Sequence, residues 1–303
     1  MKRLLLAVFV GCSLCRANTE KPSIILLLAD DLGYGELGCY GQETFQTPRL
    51  DELARKGMRF EQFYAGSSVC SPSRCVLMTG KHAGNATIRG NKGFFENGEA
   101  RRVALRPDER TLGELFQGAG YQTAFVGKWH LDIPDDPSTW AFARGFDFAI
   151  QEQWGVAADG SAFDARYHLK NGTQDTVFYD YEKFDCLDEF RTGLMMDFLD
   201  QKDDEKPFFM FFSYRAPHGK EHDIGNRDQY SDRGWNENKR RHAAVVTLLD
   251  REIGRLLDRL EADGDLENTL ILFTSDNGPH REGGRGYNPD DFNRSGGFRG
   301  IKR

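Results

Sequence analysis

The chain predicts an α/β fold with a mostly parallel central sheet and helices on both faces, and three observations carry that reading. Apolar runs of strand length alternate with amphipathic segments of helix length along the chain. The runs are apolar almost throughout instead of alternating with polar residues, as strands covered on both faces must be. Four of them are followed at once by polar or charged residues, and parallel sheets gather their functional groups beyond the carboxyl ends of the strands.

Taken in order, Ser23 to Ala29 is the first strand and Pro48 to Lys56 a helix, with its proline near the start. Thr111 to Gln117 reads as a short helix ended by Gly118 and Gly120, followed by a strand over Gln122 to Val126. Pro207 to Tyr214 is an apolar, aromatic strand. Glu237 to Glu261 places Val245, Leu249, Ile253, Leu256 and Leu260 at helical spacing with charges between them, and Thr269 to Thr274 is the last strand. Between Asp132 and Lys206 the pattern is irregular and polar, an excursion expected to shape a binding pocket. Trp140, Trp154 and Arg166 lie within it, but their residue types suit ordinary packing at least as well as a sugar or aryl ligand. Gly283 to Gly300 is rich in glycine and reads as a mobile loop.

A chain of 303 residues, 39% hydrophobic and 29% charged, can bury a substantial core in one large or two small domains. Its net charge of −7 argues against nucleic acid as a partner, and an anionic ligand would have to be captured by local positive charge. Lys2-Arg3, the apolar stretch Leu4 to Val10 and the small Ala17 read as a secretion signal over residues 1–17, leaving 18–303 as the mature domain. That run is too short to span a bilayer, so the expectation is export to a periplasm or the exterior with no transmembrane segment. Gly11-Cys12 offers a lipoprotein attachment site, a pattern that Phe9 fits poorly. Beyond the signal only Cys39, Cys70, Cys75 and Cys186 remain, too few for a disulfide scaffold. Asn85, Asn171 and Asn293 stand in N-glycosylation patterns that matter only in a eukaryotic secretory pathway.

Asp30 and Asp31 follow the first strand, and Asp276 and Asn277 follow the last. An isolated pair of aspartates is most often a solvated turn or a helix cap. Two such pairs at the rim of one buried sheet are different: carboxylates there repel each other and lose hydration unless a cation lies between them. Three carboxylates and an amide make a hard, oxygen-only set suited to Ca²⁺, with Mg²⁺ second. Lys128 and His130 follow another strand and, on an extended chain, project to the same side, where a cation and an imidazole suit a tetrahedral oxyanion. His218 follows the strand over Pro207 to Tyr214, with Pro217 keeping Ala216 extended. His82, His168, His222, His242 and His280 have no comparable setting.

Cys70-Ser71-Pro72-Ser73-Arg74 has the pattern C-x-P-x-R and opens a helix, with Pro72 in its first turn. Extended by Leu77-Met78-Thr79-Gly80, and joined by Gly127-Lys128-Trp129-His130-Leu131, it resembles the sulfatase family of the alkaline phosphatase superfamily. The resemblance runs from Ser23 to Lys302. It implies that Cys70 is oxidised to formylglycine by a maturation enzyme, and that its hydrate attacks a sulfate ester in line. Asp30, Asp31, Asp276, Asn277 and position 70 would hold one calcium ion. Arg74 would steady the hydrate, while Lys128, His218 and Lys302 would contact the sulfate. Asp276 would act as base, His218 or Lys302 would protonate the leaving alcohol, and His130 would help expel sulfate. Family members continue past the Gly300-Ile301-Lys302 motif into a smaller subdomain with an antiparallel sheet; this sequence stops at Arg303, so the expectation is either a fragment or a chain without that subdomain. Rival expectations are a phosphate or phosphonate ester hydrolase, and a calcium-stabilised domain that binds sulfated glycans without cleaving them.

Overall fold

The computed structural model describes residues 21–94, 100–153, 167–172, 176–180, 182–218, 227–281, 288 and 290–302. The first part of the chain forms β1 (Ser23–Asp30), α1 (Pro48–Lys56), α2 (Cys70–Thr79), β2 (Gly93–Phe94), β3 (Ala100–Arg101) and α3 (Leu112–Gly118). Then come β4 (Gln122–Gly127), β5 (Phe148–Glu152), β6 (Tyr167–Lys170) and β7 (Thr176–Phe178). The remainder supplies α4 (Leu187–Gln201), β8 (Phe208–Pro217), α5 (Glu237–Asp263) and β9 (Thr269–Ser275).

Among the described residues the main sheet has seven strands in the order β7-β6-β5-β4-β8-β1-β9. The five from β5 to β9 are parallel, while β6 and β7 continue the sheet antiparallel. Side chains alternate across it as strand geometry requires. Ile25, Leu27 and Ala29 of β1 join Phe208, Met210, Phe212 and Tyr214 of β8 in one core layer, covered by α4, α5 and Leu50 of α1. Leu26 and Leu28 join Phe209 and Phe211 in the other, with Cys75 and Met78 of α2 and, from α3, Leu112 and Phe116. At the edge, β9 sends Ile271 and Phe273 to the first layer but leaves Leu270 and Leu272 exposed.

The excursion expected between Asp132 and Lys206 is instead largely built into the fold. It contributes β5, β6, β7 and the helix α4. The helix escapes a periodicity search because polar residues face inward: Asp188, Arg191 and Thr192 are as buried as Phe190 and Met195. Asp188 accepts hydrogen bonds from the backbone amides of Arg215 at 2.9 Å and Ala216 at 2.8 Å, so its burial anchors the end of β8. Trp140 is buried and donates its indole N–H to Ile133 O at 3.3 Å; Trp154 and Arg166 lie outside the described residues.

The described part of the glycine-rich stretch, 288 and 290–300, packs against the loop after β1. Gly35 N–H bonds Arg294 O at 2.9 Å, and Tyr34 meets Phe298 edge-to-face with ring centroids 5.0 Å apart.

Candidate active site

The ends of β1 and β9 run side by side, Ala29 opposite Ser275, and this register brings the two acidic pairs together. Oxygens of Asp30, Asp31 and Asp276 lie within 4.8 Å of one another, all three residues buried. Asn277 Nδ2 donates to Asp31 Oδ1 at 2.6 Å, and Asp31 N–H reaches Asp276 Oδ1 at 3.2 Å. Burial raises all three carboxyls, and neighbours then decide each one. Around Asp30, the charges of Lys128, His218, Arg74 and Arg215 outweigh burial and hold it well below the usual carboxylate range. Asp31 is pushed up to about 7 by burial and then by Asp30 and Asp276, which Lys302 and Lys128 only partly offset. Asp276 is raised too, by burial first and Asp30 second. The donor set fits a hard divalent cation: the three carboxylates converge, and Asn277 Oδ1 is buried without a hydrogen-bond partner among the described residues.

Cys70 is the first residue of α2 and is buried, with Sγ 3.6 Å from Asp30 Oδ1. Burial pushes its thiol up to about 12, with Asp30, Asp276 and Asp31 adding to the rise against Lys128. As a thiol it is therefore a poor nucleophile at neutral pH. Arg74, one turn on, is committed elsewhere. Its Nε and Nη2 meet Asp276 Oδ2 at 2.9 and 2.8 Å, and its Nη1 donates to Lys128 O and Ser213 Oγ, each at 2.6 Å. The guanidinium thus ties α2 to the ends of β4, β8 and β9.

Lys128 and His130 do not sit on an extended chain, so period-two geometry is not what orients them. β4 stops at Gly127, whose φ is 117°, and His130 has φ 60°. Lys128 Nζ still reaches Asp30 Oδ2 at 2.5 Å. Burial, followed by Lys128, Arg102 and Arg74, keeps His130 neutral by lowering its imidazole well below the ordinary value. Gly127 is irreplaceable on two counts: its φ is left-handed, and a Cβ there would stand 2.0 Å from Ser213 O. Gly127→Ala is expected to destabilise the protein by more than ~2 kcal/mol, read as a lower urea midpoint. An unchanged midpoint would show that β4 and β8 can part without loss.

His218 lies just beyond β8, which runs through a cis Ala216–Pro217 peptide, and its Nε2 is 3.7 Å from Asp31 Oδ2. Burial, with Arg215, Lys128 and Lys302 nearby, takes its imidazole down to about 2 despite Asp30. Lys302 Nζ bonds Asp31 Oδ2 at 2.9 Å, and this partner keeps the ammonium protonated against the effect of burial. The sequence-predicted residues therefore meet in one place. Sequence reasoning missed Ser213, a lone hydroxyl in the apolar run of β8, which also donates to Lys128 O at 2.8 Å. It also missed Arg215 and Glu152, paired at 2.7 Å, and His280, fully buried with its ring stacked on His218 at 6.0 Å. Ser213 alone carried a signal, as a polar residue amid aromatics.

The family model for sulfatases matches residues 22–299. Among curated relatives the chain is 30% identical over 298 residues to an arylsulfatase of Hemicentrotus pulcherrimus, covering 92% of this chain and 51% of that protein. It is 32% identical over 303 residues to the N-acetylgalactosamine-6-sulfatase of Rattus norvegicus, covering 91% and 54%. Of solved structures, Ps i-CgsB in complex with k-i-k-neocarrahexaose superposes with a TM-score of 0.71 at 28% identity, over 86% of this chain and 59% of that one. The chain thus spans about half the length of the curated relatives it matches. With the match running from the start of β1 almost to Lys302, through both acidic pairs and the Cys70 helix, this chain belongs to the sulfatase family.

Proposed function

We propose that this chain carries the catalytic machinery for hydrolysing a sulfate monoester borne by a carbohydrate, using one bound calcium ion and Cys70 oxidised to formylglycine. The observation that carries the reading is the convergence of three buried carboxylates with Cys70, His218, Lys128 and Lys302. Among the described residues both groupings able to hold a metal include Asp30, which supports one cation site in preference to two. The related proteins named for N-acetylgalactosamine-6-sulfate and solved with a neocarrahexaose support a carbohydrate ester.

Asp30, Asp31, Asp276 and Asn277 would hold the cation, together with position 70. The oxidised cysteine supplies the attacking oxygen, and the cation, when bound, draws charge from the ester. Lys128 and Lys302 bring two buried ammonium groups to the site, where each charge counts for more against developing negative charge than it would in water. Lys302 carries its proton at neutral pH and can release it to the departing alcohol, with His218 beside it. His130 is held neutral and ready to accept one. Arg74 fixes Asp276 and the backbone of Lys128, so its contribution here is placement.

The test is the mass of the tryptic peptide Phe60 to Arg74 from protein made in its native host, followed by turnover of matched aryl esters. The expected result is an aldehyde in place of CH₂–SH at position 70 and faster hydrolysis of aryl sulfate than of aryl phosphate. An intact thiol with glycan binding and no hydrolysis would replace this reading with a binding domain. A preference for the phosphate would replace it with a phosphoester hydrolase.

A further inference from the structure

Five residues beyond Asp31, Glu36 is completely buried. A carboxylate removed from water is costly unless hydrogen bonds and an opposite charge compensate it. One oxygen, Oε2, accepts the backbone N–H of Gly33 at 2.5 Å, and the other, Oε1, is bonded by His242 Nε2 from the interior of α5. The His242 ring also stacks on Phe292, centroids 6.2 Å apart, in the segment that leads to Lys302.

The loop that begins at Asp31 is held at every turn. Asp31 itself has φ 69°, a left-handed conformation that residues with a Cβ rarely adopt. Leu32 N–H bonds Ser275 Oγ at 3.0 Å, and a Cβ on Gly33 would stand 2.2 Å from Arg294 O. Gln42 Nε2 bridges Gly35 O at 3.1 Å and Phe292 O at 3.0 Å. Lys302 N–H bonds Pro279 O at 2.8 Å, and its Nζ returns to Asp31. Asp31 and Lys302 therefore project from two loops that are packed on each other, and both loops meet α5 at His242.

We propose that Glu36 and His242 are positioning residues for the cation site: they lock the Asp31 loop and the segment ending at Lys302 onto α5. The inference rests on the cation reading above. Partners behind metal ligands typically matter ten- to a hundredfold in metal affinity.

The experiment is calcium titration of the 303-residue chain by calorimetry, with thermal melting in EDTA as a separate measure of folding. Glu36→Gln and His242→Ala are each expected to weaken calcium binding by about ten- to a hundredfold. His242→Gln, whose amide still offers Glu36 a donor, is expected to recover most of that loss. Wild-type affinity in Glu36→Gln and His242→Ala, with only the EDTA melting point lowered, overturns the proposal by reducing the pair to a packing role. Asp31→Asn separates the two levels. If it too binds calcium like the wild type, the cation reading is wrong and the pair's role falls with it. If Asp31→Asn loses calcium and the pair variants do not, only the positioning role is lost. Should neither pair variant fold, Gln42→Ala carries the test, with a smaller loss of affinity expected and an unchanged affinity overturning the proposal.

Discussion

Cys70→Ser is expected to leave a folded protein that releases at most one equivalent of alcohol from an aryl sulfate and then stops. Serine is nearly isosteric with cysteine, and the hydrogen bond from Sγ to Asp30 is weak at 3.6 Å. The scaffold should therefore survive, with a melting temperature close to wild type. Chemistry should not. A serine hydroxyl has no second oxygen on its carbon, so a sulfate ester formed there has no internal route of expulsion. The steady-state rate should fall by at least about a thousandfold, leaving what binding and electrostatics supply alone. A rapid-quench burst followed by a plateau would support this, and sustained turnover by the serine variant would remove the need for an aldehyde. The buried thiol, pushed up to about 12, gives the same answer from the other side: unmodified Cys70 carries almost no thiolate at pH 7.

The second large effect concerns pH in the absence of metal. The folded chain keeps a proton on Asp31 until about pH 7, whereas an unfolded chain releases it near the ordinary aspartate value of 3.8. Between those limits the folded state binds more protons, so raising the pH favours unfolding by up to ~1.4 kcal/mol per unit for that site. Other buried groups titrate as well, Asp30 and Glu152 in the opposite direction, so the comparison to make is wild type against Asp31→Asn in EDTA. The stability of the wild type relative to the variant should fall as pH rises from about 4 to about 7. Calcium should reverse this, since a cation requires the ionised carboxylate, and its affinity should weaken about tenfold for each unit below pH 7. Calorimetry in buffers of different ionisation enthalpy would count the proton released. A calcium affinity flat from about pH 5.5 to 7.5 would contradict this account of Asp31.

Most of the sheet was legible because buried parallel strands announce themselves as apolar runs. Ser23 to Ala29, Gln122 to Val126, Pro207 to Tyr214 and Thr269 to Thr274 are each the body of a strand in the fold. The helix α5 was legible for the complementary reason, a regular apolar stripe along its length. What periodicity could not reveal was α4, where Asp188 and Arg191 point inward to bond β8, β5 and β6, and Thr192 is buried beside them with its hydroxyl on Asp188 O. At the site, the residue types after each strand were readable, and the register of β1 against β9 and β8 brings them together. Their orientation was not readable. The left-handed residues Asp31 and His130 turn the chain in ways that only tertiary contacts enforce, so an extended reading of Lys128 to His130 gave the right neighbours for the wrong reason. Glu36, His242 and His280 were invisible for a related cause, since their partners lie far along the chain.

Those two left-handed positions also limit how the protein can be improved. Asp31 combines an unfavourable backbone conformation with repulsion from two neighbouring carboxylates, and glycine there would relieve both, but it would also strip the buried Lys302 ammonium and the Asn277 amide of their partner. The strain of this loop is therefore tied to the residue that pairs with Lys302. Removing this aspartate would exchange backbone strain for an unpaired buried charge, so selection for thermostability has no single-step route past it.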